Sequence, residues 1–186
     1  MCHESCLAFG QTMLFGLDLR GKYVLDVGAL NINGSLRPHV EELSPLEYVG
    51  IDIVPGPGVD REMRAENLLA EFGPDLFALV ICTEMLEHVE DWRAVIHNIK
   101  DVCAPGGTII LTTRSTGFPL HEHPADFWRF EDYHMHVIFG DCEDVIVCRD
   151  TQAPGVFVRA RKPHGFAGRD LTNCPALAIV PTAPSP

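Results

Sequence analysis

Apolar positions along this chain fall into short unbroken runs, separated by stretches of helical period. Tyr23–Val27, Leu46–Asp52, Phe77–Cys82 and Thr108–Thr113 are compact runs rich in β-branched residues. Such runs, with little polar alternation, suit parallel strands buried on both faces. Trp92, Val95, Ile96, Ile99 and Cys103 recur at the spacing of one helix face. Further helices are predicted over Leu7–Leu19, Leu36–Leu43, Glu66–Glu71 and Asp132–Phe139, with a short strand near Val59. Ser44-Pro45, Pro55–Gly58, Gly73-Pro74 and Pro105-Gly106-Gly107 supply the breaks. Val145–Cys148 and Val156–Ala160 read as a closing pair of strands. The alternation predicts one α/β domain: a doubly wound, mostly parallel sheet with helices on both faces and an antiparallel final strand.

The most informative segment is the first strand with its glycine turn. Tyr23–Asp26 leads into Gly28-Ala-Leu-Asn-Ile-Asn-Gly34, then a short helix, then Tyr48-Val-Gly-Ile-Asp52. A strand, a glycine turn, a helix and a second strand ending on an acid are how an α/β sheet holds a nucleoside at its strand carboxyl ends. A dinucleotide fingerprint, Gly-x-Gly-x-x-Gly, does not occur at this turn.

Composition narrows the partners. The 186 residues suit one domain with a sizeable core. A net charge of −12 argues against broad nucleic-acid binding, which needs clustered Lys and Arg. No apolar run reaches the ~18 residues of a membrane span, and no secretory signal is evident at the N-terminus. Seven cysteines without such a signal predict reduced thiols in a cytoplasmic protein, with Cys82, Cys103 and Cys148 as small buried hydrophobes. Cys2-His3 and Cys6 match no strong zinc spacing. Residues 1–21 read as an N-terminal helix or lid, 22–162 as the domain, and 163–186, rich in Pro and small residues, as a poorly ordered tail.

Four segments in order carry a family resemblance. They are Val24–Gly28, Tyr48–Asp52, Phe77–Val89 and Cys103–Thr113 with its Pro-Gly-Gly turn. The chain resembles a class I S-adenosylmethionine-dependent methyltransferase of the small type 11 kind, over roughly Lys22 to Lys162. The resemblance implies a Rossmann-like fold and S-adenosylmethionine as cofactor. Two departures stand out. The family's acid-x-Gly-x-Gly-x-Gly lacks its middle glycine here, leaving Asn31 and Asn33 to supply positive φ. Arg64 stands where an acid is usual, so Glu66 or a backbone amide is expected to meet the adenine.

The resemblance also implies site roles. Asp26 is expected to order the turn and reach the cofactor's amino group, with Gly28, Ala29, Asn33 and Gly34 allowing close approach. Asp52 is expected on the ribose hydroxyls and Ile53 on the adenine face. Thr83 and Glu84 are expected to line the methionine side. Methyl transfer from a sulfonium is an in-line displacement, for which the protein supplies alignment and dryness. A general base is needed where the acceptor must lose a proton, and His88, His121 and His123 are candidates, with a structural role for His88 equally open.

Glu84-x-x-Glu87-His88 adds a metal hypothesis. On one helical turn the three side chains share a face, and His121 or His123 is placed to complete a site for Mg²⁺ or Mn²⁺. The pattern is similar to that of metal-dependent O-methyltransferases. His121–Phe130 resembles the family's acceptor segment, so Trp128 and Phe130 are candidate walls and Arg129 a candidate anchor for an acidic group. The opposing reading makes Trp128 and Phe127 core and pairs Arg129 with Asp126 or Glu131. His134 and His136 are expected at the surface. The leading expectation is methyl transfer to O or N of a small-molecule acceptor. The alternatives are metal-assisted methylation of an RNA or sugar hydroxyl, and a catalytically silent binding protein of the same fold.

Overall fold

The structure is a computed structural model that describes residues 4–121, 125–172, 174 and 178–179. Strands and helices alternate as the apolar pattern predicts. Helix α1 spans Glu4–Leu14, β1 Tyr23–Val27, α2 Arg37–Glu41, β2 Glu47–Asp52 and β3 Arg61–Glu62. Next along the chain are α3 (Leu68–Phe72), β4 (Phe77–Thr83), α4 (Trp92–Val102) and β5 (Cys103–Arg114). Then come β6 (Trp128–Arg129), α5 (Asp132–Ile138), β7 (Glu143–Arg149), β8 (Gly155–Arg161) and β9 (Ala178–Ile179).

Seven strands form one sheet in the order β3-β2-β1-β4-β5-β8-β7, and β6 pairs with β9 in a second, two-stranded sheet. The pairings from β3 to β5 are parallel, while β8 runs antiparallel to both β5 and β7. Chain order reverses between β1 and β4, so their carboxyl ends open a crevice at the switch point.

Burial on both faces explains the apolar runs. In β1, Leu25 and Val27 enter the core beneath α4, while Val24 enters the second cluster with α1 and α2. In β4, Val80 and Cys82 face one way, Leu79 and Ile81 the other. Helix α4 buries Trp92, Val95, Ile96 and Ile99 completely, each worth roughly 1.5–3 kcal/mol. Asp91 caps its start by accepting a hydrogen bond from Ala94 N at 3.1 Å.

Several expectations need correction. Helix α1 ends at Leu14, before Gly16 at φ 81°, rather than continuing to Leu19. Strand β5 begins at Cys103, so Pro105-Gly106-Gly107 lies within it as an irregularity. Its β4 pairing jumps from Phe77↔Cys103 to Leu79↔Thr108, and exchanges with Lys162 hold the extra residues in the ladder (Gly106 N to Lys162 O 2.7 Å, Lys162 N to Gly107 O 2.9 Å). Cys148 is exposed, because β7 is the sheet's edge. His134 is buried: its Nδ1 accepts from Glu131 N at 2.9 Å as half of a capping box. Within the expected tail, Leu171 is fully buried and its carbonyl accepts from Arg93 Nε at 3.0 Å, while most other residues of 163–172 are exposed. Cys2, His3 and most of residues 173–186 lie outside the described residues.

Candidate functional site

A cavity of about 590 Å³ opens at the carboxyl ends of β1, β2 and β4. Its wall runs from Asp52 and Ile53 past Gly28 to Thr83, Met85 and His88. Of the expected cofactor residues, Gly28, Asp52, Ile53, Glu66, Thr83 and Glu84 line it.

Asp52 closes β2 and ties two turns together. Its carboxylate accepts from Leu30 N and from Val54 N, each at 3.1 Å. These bonds stiffen the rim and leave acceptor capacity toward the cavity. Glu66 is held by Arg64 at 2.7 Å; both line the cavity, so the departure at Arg64 is neutralised by its neighbour.

Four expected contacts fall elsewhere. Asp26 lies beneath the turn, buried, with Tyr48 Oη donating to it at 2.6 Å. Burial pushes its carboxyl up to about 6, against the Tyr48 hydrogen bond and the charge of Arg37. Ala29 is buried against Gly50, Asn33 is exposed, and Gly34 packs on Leu7 of α1. Positive φ is not supplied by Asn31 or Asn33 but by Gly28 (82°) and Gly34 (122°). Asn31 instead stitches the longer turn, accepting from Gly34 N at 2.9 Å and donating its own N–H to Pro57 O at 2.8 Å. Glycine is required at 28 on steric grounds as well: a Cβ there would lie 2.6 Å from Met85 Cγ.

Glu84 does not join Glu87 and His88. It sits at φ 55°, ahead of the 3₁₀ turn Leu86–His88, so the three never share a helical face. Its carboxylate turns to Arg114, which is itself fully buried and bonded to Asp150 at 3.1 Å and Cys6 Sγ at 3.4 Å. Burial and the charge of Glu87 raise the Glu84 carboxyl above the usual range, while Arg114 opposes them. The expected metal ligand is therefore half of a buried ion pair that fastens α1 to the end of β5.

Glu87, His88 and His121 do converge, their ligand atoms all within 4.8 Å of one another. Glu87 is fully buried; its Oε2 accepts from Thr113 Oγ1 at 2.7 Å, and its Oε1 accepts no hydrogen bond among the described residues. Oε1 faces His121 Nε2 at 3.7 Å and His88 Nε2 at 3.9 Å. Each imidazole uses its other nitrogen on an oxygen: His88 Nδ1 meets Ala125 O at 2.5 Å and His121 Nδ1 meets Asp126 Oδ2 at 2.9 Å. Those oxygens only accept, so both Nδ1 atoms carry the proton. Among the described residues, three acceptors, Oε1 and two Nε2, then point at one another with no donor between them, an arrangement that a proton or a cation relieves.

The electrostatics agree. Burial opposes ionisation of Glu87, but the facing histidines and Thr113 outweigh it and hold the carboxyl below its usual range. Burial lowers His88, and the facing Glu87 raises His121. His88 lines the cavity, while His121 stands behind it, ring edge to face at 4.7 Å. His123 lies outside the described residues.

The loop after β5 differs from its expected role. Phe127, not Phe130, reaches the cavity; Phe130 is core against Trp92. Trp128 is half-buried and donates Nε1–H to Val89 O at 2.8 Å. Arg129 is buried and fully used on Asp126 and on carbonyls of Phe118, Pro119 and Trp128. It is no anchor for an acidic acceptor.

Fold and cavity together define a doubly wound α/β domain of the class I methyltransferase type, with its ligand crevice at the β1/β4 switch point. A family model described as a methyltransferase domain matches residues 4–141, and the chain belongs to that family. The ubiquinone biosynthesis O-methyltransferase of Pseudomonas putida (strain W619) is 34% identical over 110 residues, 52% of this chain and 46% of that protein. The protein of the same description from Xanthomonas euvesicatoria pv. vesicatoria (strain 85-10) is 32% identical over 124 residues, 60% of this chain and 48% of that protein. The chain thus spans about half the length of the curated relatives it matches. Among solved structures, it is similar to a Burkholderia thailandensis 1,6-didemethyltoxoflavin-N1-methyltransferase with bound 1,6-didemethyltoxoflavin and S-adenosylhomocysteine (TM-score 0.64, 15% identity, 86% of this chain and 79% of that one). It is also similar to Haemonchus contortus phosphoethanolamine N-methyltransferase 2 with S-adenosyl-L-methionine (TM-score 0.64, 17% identity, 83% of this chain and 52% of that one). Among the described residues, no helix is long and apolar enough to cross a membrane.

Proposed function

We propose that this chain transfers a methyl group from S-adenosylmethionine to an oxygen or nitrogen of a small-molecule acceptor. The observation that carries the proposal is the cavity itself: one continuous space from the Asp52 carboxylate, past the Cβ-free face of Gly28, to His88. Residues 22–162 would form the catalytic domain, with α1 packed against its sheet. Asp52 would take the ribose hydroxyls, Ile53 and Ala65 would bracket the base, and Thr83 would meet the methionine end. S-adenosylmethionine supplies the electrophilic methyl and its own leaving group, so the chain's task is alignment and exclusion of water.

The wall beyond Thr83 is formed by Met85, His88, Val89 and Phe127, with Glu90 at its edge. An apolar wall with one imidazole suits a planar phenol or a similar neutral acceptor. His88, kept neutral by burial, is the base at this wall through its Nε2 as long as no cation occupies that lone pair. Net charge −12 and the withdrawal of Arg129 favour this over an RNA acceptor.

The three converging acceptors support a second element, a divalent ion held by Glu87, His88 and His121. With two imidazoles to one carboxylate, the donor set suits Mn²⁺ or Zn²⁺ better than Mg²⁺. Such an ion would lower the pKa of an acceptor hydroxyl. The function is tested by incubating the protein with methyl-labelled S-adenosylmethionine and catechol, phenol and amine acceptors, with and without Mn²⁺. Labelled product that disappears in Asp52→Ala is expected; S-adenosylhomocysteine binding without product from any acceptor would leave a binding protein.

A further inference from the structure

We infer that Asp126, clamped by Arg129, is a positioning residue that sets the tautomer of His121 and so aims its Nε2 lone pair at Glu87 and His88. The inference rests on reading that cluster as the proton- or cation-accepting element of the transferase site.

The Asp126 side chain is fully buried. Its Oδ2 accepts twice from His121, from the backbone N at 3.0 Å and from Nδ1 at 2.9 Å. One oxygen thereby fixes both the residue and the rotation of its ring. Left to itself, the ring could turn over, which exchanges Nε2 with Cε1 and would present a C–H to the cluster instead, or it could carry its proton on Nε2. With Asp126 in place, the proton must sit on Nδ1, because a carboxylate oxygen only accepts.

Arg129 holds the carboxylate in turn. Its Nη1 donates to Asp126 Oδ1 at 2.5 Å and its Nη2 to Oδ2 at 2.6 Å, a bidentate fork. Its remaining donors go to loop carbonyls, including Pro119 O at 3.0 Å and Trp128 O at 2.8 Å. A buried ion pair of this kind adds little net stability over an apolar pair of the same size, so its use lies in placement. The same loop is bolted to the Glu87 turn at two further points, Phe127 N to Glu87 O and Trp128 Nε1 to Val89 O, each 2.8 Å. The turn and the loop are therefore held in one register, and Asp126 decides the last variable, which nitrogen carries the proton.

The test is nitrogen-15 NMR of the metal-free protein at a pH high enough to keep imidazoles neutral, with His121→Gln to assign the signals. In the parent, His121 is expected to show a protonated Nδ1 and a bare Nε2. In Asp126→Asn, whose amide also has donors to place, the protonated nitrogen is expected to become mixed, with Asp126→Glu restoring the parent pattern in part. A parent His121 protonated on Nε2 overturns the inference even if no variant folds. So does an unchanged tautomer in folded Asp126→Asn, since a carboxylate that merely staples the loop would leave the ring's choice unaffected. Manganese calorimetry separates the two levels. No heat from the parent removes the metal reading but leaves the tautomer result standing. Heat from the parent, weakened roughly 10–100-fold in Asp126→Asn, is the loss expected when the outer partner of a histidine ligand is removed.

Discussion

Tyr48 donates its hydroxyl to Asp26 Oδ2 at 2.6 Å, joining β1 to β2 directly beneath the glycine turn. Burial drives the Asp26 carboxyl up to about 6, with Asp52 and Asp60 adding to the effect and Tyr48 and Arg37 opposing it. The raised value fixes the sign of a pH effect. The favourable contribution of the protonated form is complete below about pH 4, where the unfolded carboxyl is also protonated, and is lost as pH rises through about 6. At about 1.4 kcal/mol for each pH unit of displacement, the penalty above pH 6 is about 3 kcal/mol. Asp26→Asn should therefore gain on the parent by about that amount between pH 4 and pH 7.5, measured as unfolding free energies in urea. A difference that stays flat with pH would show that Asp26 ionises as freely folded as unfolded.

Asp52 has a local duty and a proposed ligand duty, and the two can be separated. Asp52→Ala should lose at least tenfold in S-adenosylhomocysteine affinity by calorimetry. Its stability cost should be about 1–2 kcal/mol, from the two turn amides left without their acceptor. Unchanged affinity in a folded variant would remove Asp52 from the cofactor site.

Glu84 and Glu87 are three residues apart and should behave differently. Glu87→Gln should abolish manganese binding with the fold intact, since its amide can still accept from Thr113. Glu84→Gln should keep the metal and instead lose about 3–5 kcal/mol of stability, because it leaves Arg114 buried with one fewer counter-charge. Equal, negligible heats in the parent and Glu87→Gln would dispose of the ion.

Arg129→Met should destabilise the protein by several kcal/mol, on the order expected for one partner of a buried pair. It should not selectively raise KM for carboxylate-bearing acceptors. A selective loss on acidic acceptors would mean that the guanidinium leaves Asp126 and reaches the cavity.

The apolar runs are enough to place β1, β2 and β4 nearly to the residue, because strands buried on both faces leave a continuous signature. The edge strand β7 is legible as a strand but not as an edge, so the exposure of Cys148 has no signal in the pattern. The pattern also overstates the length of α1, because Leu17 and Leu19 keep the apolar spacing going. Gly16, at φ 81°, ends the helix, and those leucines pack on the sheet from the segment beyond it.

The sequence by itself determined the fold class, the glycine at position 28 and the acid at the end of β2. The first is written in the order of apolar runs along the chain, and the other two in short strand-and-turn motifs, Val24–Gly28 and Tyr48–Asp52. Tertiary structure decided the chemistry at the far end of the cavity. Glu84 and Glu87 look equivalent in the sequence. Which of them faces an arginine and which faces two imidazoles depends on a positive φ at Glu84 and on Arg114 and His121, which arrive from β5 and the loop beyond it. The sequence leaves Arg129 open between anchoring an acidic group and pairing with Asp126 or Glu131, and the folded loop decides for Asp126. Side chains that meet across long loops leave no periodic trace in a chain, and their pairing exists only once the sheet has brought the loops together.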